Sequence, residues 1–212
     1  TSLETTDIPG KTKKFVSQKV RAGIIPKIVQ NLINERDIVK KQMNTETSDA
    51  AKRILNAKQL ALKYVTNSFY GYTGYVLGRV YSLDIASAIT SCGRYLIQTT
   101  RDIVEEDKKL KVIYGDTDSI MVDTNTTDLN KAAEVGKAIE DKINQKLEGI
   151  VQLKTESVFK TLLILAKKRY AGLVVEQSNG ELKEKIEMKG IETVRRDWCD
   201  LAKDVQHEVL KI

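Results

Sequence analysis

Apolar side chains recur at Ile25, Ile28, Val29, Leu32 and Ile33 through AGIIPKIVQNLINERDIVKKQM, the spacing of one helical face. Pro26 stands near the start, where a helix tolerates it, and the pattern predicts a helix over residues 26–43. NTETSDAA then interrupts it with capping residues, and Ser48 or Asp49 can open the next helix. That second pattern carries Ile54, Leu55, Ala57, Leu60, Ala61 and Leu62 and is ended by Gly71 and Gly74. Two long helices joined by a short polar loop predict an antiparallel helical hairpin. A third helix is predicted over 83–106, with Ile85, Ile89, Leu96, Ile97 and Val104 as its apolar set.

Beyond it the period changes. KVIYGDTDSIMVD is β-rich on both sides of a short polar centre and predicts a β-hairpin. DLNKAAEVGKAIEDKINQKL returns to helical spacing through Ala132, Val135, Ile139, Ile143 and Leu147. VQLKTESVFKTLLILAKKRYAGLVVE reads as two or three strands, and SNG at 178–180 turns the chain into KEKIEMKGI. A last helix is predicted from near Arg196 to the end of the chain. Pro9-Gly10 is turn chemistry and sets off a polar leader. The order of elements predicts an α+β fold: a long antiparallel helical hairpin joined to an antiparallel β-sheet covered by helices. No internal repeat or low-complexity tract interrupts it.

Composition narrows the class. The 212 residues are 41% hydrophobic, enough for one large domain or two smaller ones, and 30% charged. No run of about 18 apolar residues occurs, which predicts no membrane partner, and no secretory signal is visible. The chain opens TSLETTDIPG without an initiator Met, which suggests a piece of something longer. Cys92 and Cys199 are far apart and form no CxxC pair, against a zinc site or disulfide framework and in keeping with a reducing compartment. His207 is the single histidine, so catalysis falls to carboxylates, lysines and tyrosines. The net charge of +6 suits a polyanionic partner and equally suits a solvated lysine-rich surface.

Asp116 and Asp118 stand one residue apart in KVIYGDTDSI. A hard divalent cation such as magnesium takes one or two carboxylates together with substrate phosphates, and a hairpin tip would present them rigidly. Aspartate is also a favoured turn residue, which would make the pair merely solvated. The flanks, Ile113 and Tyr114 before and Ile120 to Val122 after, predict buried strands and so favour a binding role.

Three further groups could carry chemistry. Lys63, Asn67 and Tyr70 fall at i, i+4 and i+7 on one helical face, with Gly71 at its end: a cation for phosphates, an amide, and a ring for a sugar or base. The alternative is an ordinary polar outer face. Arg36 and Lys40, one turn apart on the preceding helix, could join Lys63 against a triphosphate, or pair with Glu35 and Asp37. AKKRYAG places Lys167, Lys168, Arg169 and Tyr170 after an apolar strand, suited to backbone phosphates or to a plain strand end. Arg195 and Arg196 in VRRDW could hold another phosphate, or pair with Asp197.

The order of these elements resembles that of family B DNA polymerases: a basic helix, then K-x-x-x-N-S-x-Y-G, Y-G-D-T-D-S, K-K-R-Y and R-R-D. Here they are Arg36 and Lys40; residues 63–71; residues 114–119; residues 167–170; and residues 195–197. The resemblance runs from about Gly23 onward and is most specific in YGDTDS taken with the motif of Asn67 and Tyr70. The flavour is that of eukaryotic replicative catalytic subunits. YGDTDSIMVDTN, VFKTLLILAKKRY and RRDWCDLAKD look most like the alpha type; QLALKYVTNSFYGYTG and KKRYAGL are equally close to the delta type. The resemblance leaves a large DNA virus or an archaeon open as the source.

This resemblance implies a division into leader and palm-to-fingers connection (1–22), fingers hairpin (23–70), partial palm (71–190) and start of the thumb (191–212). It implies that Asp118, and with it Asp116, are catalytic ligands of magnesium. Arg36, Lys40, Lys63, Asn67 and Tyr70 would meet a deoxynucleoside triphosphate. Gly71, Lys168, Tyr170, Arg195 and Arg196 would follow primer–template DNA, and Glu156 would be an auxiliary acid on a neighbouring strand. The implied reaction is template-directed addition of deoxynucleotides to a primer 3′-hydroxyl with two magnesium ions. The setting would be DNA replication, in the nucleus for a eukaryotic chain and the cytoplasm otherwise. Partners would be the remainder of the polymerase chain and accessory replication subunits.

One element is missing. The family's first catalytic carboxylate lies in a D-x-x-S-L-Y-P motif upstream of the fingers, and no such motif occurs here. Two-metal chemistry needs carboxylates that bridge both ions, so the chain by itself is expected to be inactive. The competing readings are a noncatalytic nucleic-acid-binding module and a metal-dependent nuclease centred on Asp116 and Asp118.

Overall fold

The first helical pattern becomes α1 (Ile24–Thr45) and the second α2 (Asp49–Gly74). Ser48 opens α2, its hydroxyl accepting from the Ala51 N–H. The loop between the helices is tied by Glu46, whose carboxylate accepts from the N–H groups of Thr47 (2.9 Å) and Ser48 (3.0 Å) and is held below its ordinary pKa by those bonds. Such a short tether returns α2 antiparallel along α1. Their seam buries Val39 and Gln59, and Arg36 Nε donates to Gln59 Oε1 at 3.3 Å. The third helix, α3, spans Leu83–Glu105.

The computed structural model describes residues 5–9, 14–147, 151–178 and 181–210. By its contacts the chain forms two compact units, Thr1–Leu96 and Ile97–Ile212. The first holds α1, α2 and most of α3, together with a short antiparallel pair, β1 (Thr5–Asp7) and β2 (Lys14–Val16), that hydrophobic patterning did not predict. These three-residue strands are too short for alternation to register.

The second unit begins with the end of α3. It contains the hairpin β3 (Lys111–Asp116) and β4 (Ser119–Asp123), then α4 (Leu129–Lys146), capped by the Asp128 carboxylate. A three-stranded antiparallel meander follows: β5 (Val158–Ala166), β6 (Arg169–Ser178) and β7 (Glu181–Lys189). Residues 179 and 180 of the predicted SNG turn lie outside the described residues. A 3-10 turn (Glu192–Val194) and α5 (Asp200–Val209) complete the unit. The architecture is α+β, as the sequence predicts, with every described strand pairing antiparallel.

The core of this unit consists of Ile103 and Val104 from α3, Ile143 and Leu147 at the end of α4, Tyr170, Ala171 and Val174 of β6, and Ile191. β6 is the middle strand, which is why it supplies three of them. Polar side chains fix α4 to its surroundings. Lys142 and Lys146 both reach Glu106, at 2.9 and 2.8 Å. Asn144 pairs twice with the backbone of Leu153, through its amide N–H (2.9 Å) and its oxygen (2.7 Å), and Glu140 accepts from the Thr155 N–H. Together they lay the segment ahead of β5 along the helix.

Three expectations need correction. The last helix starts at Asp200 rather than near Arg196, because Arg195 closes back on Asp197 through two bonds, 2.9 and 2.6 Å, and uses those residues as a turn. Glu156 is not on a strand: it is exposed in the segment before β5, whose first residue is Val158. The flanks of the Asp116–Asp118 turn are half-buried rather than buried, with Ile113 45% exposed, so burial of the strands does not by itself argue for a ligand there.

Candidate functional site

The β3–β4 turn consists of Thr117 and Asp118, with Asp116 paired to Ser119 across it. Thr117 adopts a left-handed backbone (φ 56°), and the Asp118 N–H donates to the Asp116 carbonyl at 2.6 Å. This tight geometry separates the two acids. Asp116 is partly covered and Asp118 is exposed.

The β5–β6 turn consists of Lys167 and Lys168, and Lys168 is likewise left-handed (φ 63°). The two turns meet. The Lys168 N–H donates to the Tyr114 hydroxyl at 2.8 Å, and the Lys168 ammonium donates to Asp116 Oδ1 at 2.5 Å, residues 52 apart in the chain. The ammonium holds the Asp116 carboxyl below the usual carboxylate range, with Thr117 Oγ1 helping at 3.0 Å. In return Asp116 raises Lys168, chiefly through this hydrogen bond, and the charge of Asp118 adds to the effect. The Lys168 side chain is 68% exposed, so solvent screens the pair and its value lies in geometry more than in stability.

An aromatic floor lies under this contact. Tyr170, 6% exposed, meets Tyr114 and Phe159 edge-on at centroid distances of 5.9 and 6.5 Å. Across the β6–β7 ladder Tyr170 faces Lys189, which it raises above the ordinary lysine value, Glu187 and Glu156 contributing further. A third support is backbone. Gly190 sits at φ +63°, and a Cβ there would collide with the Lys168 carbonyl, so only glycine lets β7 end this close beneath the turn.

The site residues predicted from sequence therefore divide. The second unit brings together Asp116, Lys168 and Tyr170, with Asp118 exposed at the adjoining tip. Of the two arginines, Arg195 is committed to Asp197 while Arg196 is exposed. In the first unit Lys63, Asn67 and Tyr70 are all exposed on α2, as their spacing predicts, and the space around Gly71 is open. Arg36 is engaged with Gln59 rather than with Glu35 or Asp37; Lys40 is exposed. Sequence reasoning missed Tyr114 as the acceptor for Lys168, and Lys189 and Gly190 as its supports. A glycine directly after a strand rich in lysine is the signal that could have pointed to the last of these.

Magnesium binds through one or two carboxylates completed by water and phosphate oxygens. Asp118, exposed on a tight hairpin, fits such a partial set; Asp116, already holding an ammonium and a hydroxyl on Oδ1, fits it less well. Among the described residues no three His, Cys, Asp or Glu side chains converge. The chain's own donors therefore suit a site finished by other groups rather than a closed cage. No described helix is long and apolar enough to cross a membrane.

Comparison of the amino-acid sequence with known proteins points to a family. The sequence model of DNA polymerase family B matches residues 2–212. The chain is 40% identical over 217 residues to the DNA polymerase delta catalytic subunit of Plasmodium falciparum, covering 98% of this chain and 20% of that protein. It is 40% identical over 190 residues to the DNA polymerase alpha catalytic subunit of Mus musculus, covering 89% of this chain and 13% of the relative. The DNA polymerase delta catalytic subunit of Candida albicans is 40% identical over 205 residues, 93% of this chain and 20% of the relative. The chain thus spans a fifth or less of the length of these relatives.

Proposed function

Because the chain belongs to DNA polymerase family B, we propose that it supplies the nucleotide-gripping and primer-gripping parts of a template-directed DNA polymerase, including part of its metal site. The observation that carries this reading is the meeting of two motifs distant in sequence. YGDTDS and KKRY come together through Lys168, Asp116 and Tyr114 at the tips of two hairpins. A module that only bound nucleic acid would need the lysines without the carboxylates.

In this reading residues 23–70 are the fingers, 71–190 the larger part of the palm, 191–212 the start of the thumb, and 1–22 the connection into the fingers. Arg36, Lys40 and Lys63 neutralise the triphosphate of the incoming deoxynucleotide, Asn67 orients it, and Tyr70 lies by the nascent base pair above the open space at Gly71. Asp118 holds magnesium with the substrate phosphates. Asp116 sets the position of Lys168, which with Tyr170, Arg195 and Arg196 follows the primer–template duplex. Glu156 serves as an auxiliary acid through its charge on Lys189.

The reaction is attack of the primer 3′-oxygen on the α-phosphorus of the deoxynucleotide, with pyrophosphate leaving. When bound, magnesium would neutralise charge on the phosphates and favour the deprotonated primer hydroxyl. The protein's contribution is positioning and fixed positive charge. The setting is DNA replication, nuclear in a eukaryote, with the rest of a polymerase chain and accessory subunits as partners.

The test is a deoxynucleotide titration in the presence of magnesium and primer–template DNA. Lys63→Ala is expected to weaken nucleotide binding. Lys168→Ala is expected to weaken duplex binding and to lower its salt slope by about 1, one phosphate contact. Nucleotide binding that ignores both magnesium and Lys63→Ala would leave a noncatalytic binding module. This chain alone is expected to give no primer extension, since it contains no D-x-x-S-L-Y-P carboxylate; robust extension would overturn the assignment of an incomplete site.

A further inference from the structure

Just past Gly190 the chain makes its 3-10 turn, anchored by fully buried Ile191. The first residue of that turn, Glu192, has a side chain only 15% exposed. One of its oxygens, Oε1, forms an ion pair with Nη2 of Arg169, the residue that follows Lys168 and starts β6. The other, Oε2, accepts from Gln206 Nε2 on α5 at 2.6 Å. Gln206 returns a second bond, its Oε1 accepting from the Thr193 N–H at 2.9 Å. A single carboxylate thus ties the lysine turn to the last helix.

We propose that Glu192 is a positioning residue: by holding Arg169 it sets the Lys168 turn against Asp116, and through Gln206 it makes that setting depend on where α5 lies. The proposal rests on the polymerase reading for its consequence, that DNA contacts at the turn and the placement of the C-terminal helix are coupled. The physical ground is the covered charge. A carboxylate this enclosed needs a compensating cation, and the guanidinium that supplies it is itself partly enclosed, its Nε buried without a partner among the described residues. Removing the carboxylate leaves Arg169 with uncompensated charge and further unpaired donors, so the residue must move outward. Arg169 is covalently next to Lys168 and pairs with Ala166 across the two-residue turn, so its displacement carries the ammonium away from Asp116. Neither Glu192 nor Gln206 needs to touch DNA for this to matter.

The experiment uses Glu192→Gln, Glu192→Asp and the milder Gln206→Ala, each checked by circular dichroism and thermal melting. Two readouts are taken. The first is the NMR signal of the Lys168 ammonium, visible when its protons are held by Asp116. The second is primer–template affinity by fluorescence anisotropy, in the natural and the Lys168→Ala backgrounds. Glu192→Gln is expected to broaden the ammonium signal and weaken DNA binding about fivefold, the scale of one coupled pair. It should have no further effect once Lys168 is alanine. Glu192→Asp should restore part of both, and Gln206→Ala should lose less. A folded Glu192→Gln chain with an unchanged ammonium signal overturns the proposal, as does an equal loss of affinity with and without Lys168. If the unaltered chain binds no primer–template at all, the polymerase reading fails, while the ammonium signal still decides the role of Glu192.

Discussion

The carbonyl of Lys168 occupies the place where a side chain at Gly190 would go. Two chain segments far apart in sequence are in backbone contact at this point, and both carry positive φ, +63° at each. Gly190→Ala should therefore cost about 3 kcal/mol, from the left-handed strain of an L-residue together with the steric clash. Urea unfolding measures it, and a loss under about 0.5 kcal/mol, an ordinary surface effect, would contradict the contact.

Tyr114 also holds this turn. Tyr114→Phe keeps the ring edge-on to Tyr170 and removes only the hydroxyl that accepts the Lys168 N–H. The expected loss is about 1 kcal/mol, that of one hydrogen bond. The sharper readout is amide exchange at Lys168, which should quicken while that of neighbouring β6 amides stays slow. Unchanged exchange would mean the bond does not persist in solution.

Gly172 makes room for a ring. A Cβ there would strike the Phe159 side chain, which packs against Tyr170 from the neighbouring strand. Gly172→Ala should destabilise by about 1–3 kcal/mol through overpacking. Phe159→Leu in the same chain should recover part of it, because the smaller side chain vacates the contested volume. Additive losses in the double variant would argue against a shared contact.

Acid should loosen the join between α3 and α4. The Glu106 carboxyl is lowered from 4.5 to about 2, chiefly by its bonds to Lys146 and Lys142. A carboxylate depressed in the folded state contributes stability that is fully present above its ordinary pKa. That contribution is lost as pH falls from 4.5 toward about 2. Urea midpoints followed through this window should fall with acid, and replacing both lysines with methionine should flatten that part of the profile. A profile unchanged by the replacement would place the acid sensitivity elsewhere.

Much of the fold was legible because long helices repeat their apolar positions many times: α1, α2, α3 and α4 lie within a few residues of the pattern. The β3–β4 hairpin was legible for a similar reason, two β-rich runs about a short polar centre. The α5 boundary was not, since Arg195 and Asp197 are as acceptable in a first helical turn as in the ion-paired turn they form. Of the candidate site, the residue types were readable and their pairing was not. Nothing local in KKRY says that Lys168 rather than Lys167 faces Asp116; the left-handed φ decides it, and that conformation depends on Tyr114 and Gly190 arriving from elsewhere. Glu192 was invisible for the same reason, its role being defined by Arg169 and Gln206.

Thr117 and Lys168 share one property: each holds a side chain in a backbone conformation that glycine or asparagine would adopt with less effort, at a cost of about 1–2 kcal/mol each. A directed-evolution campaign selecting only for heat resistance would find these two turns early, and glycine at either would score as an improvement. The same substitutions would dismantle the junction of Asp116 with Lys168, or slacken the tip that presents Asp118. Robustness and purpose compete here at two identifiable positions. An engineer seeking a hardier version of this chain should exempt both from the search and work instead on the exposed face of α4.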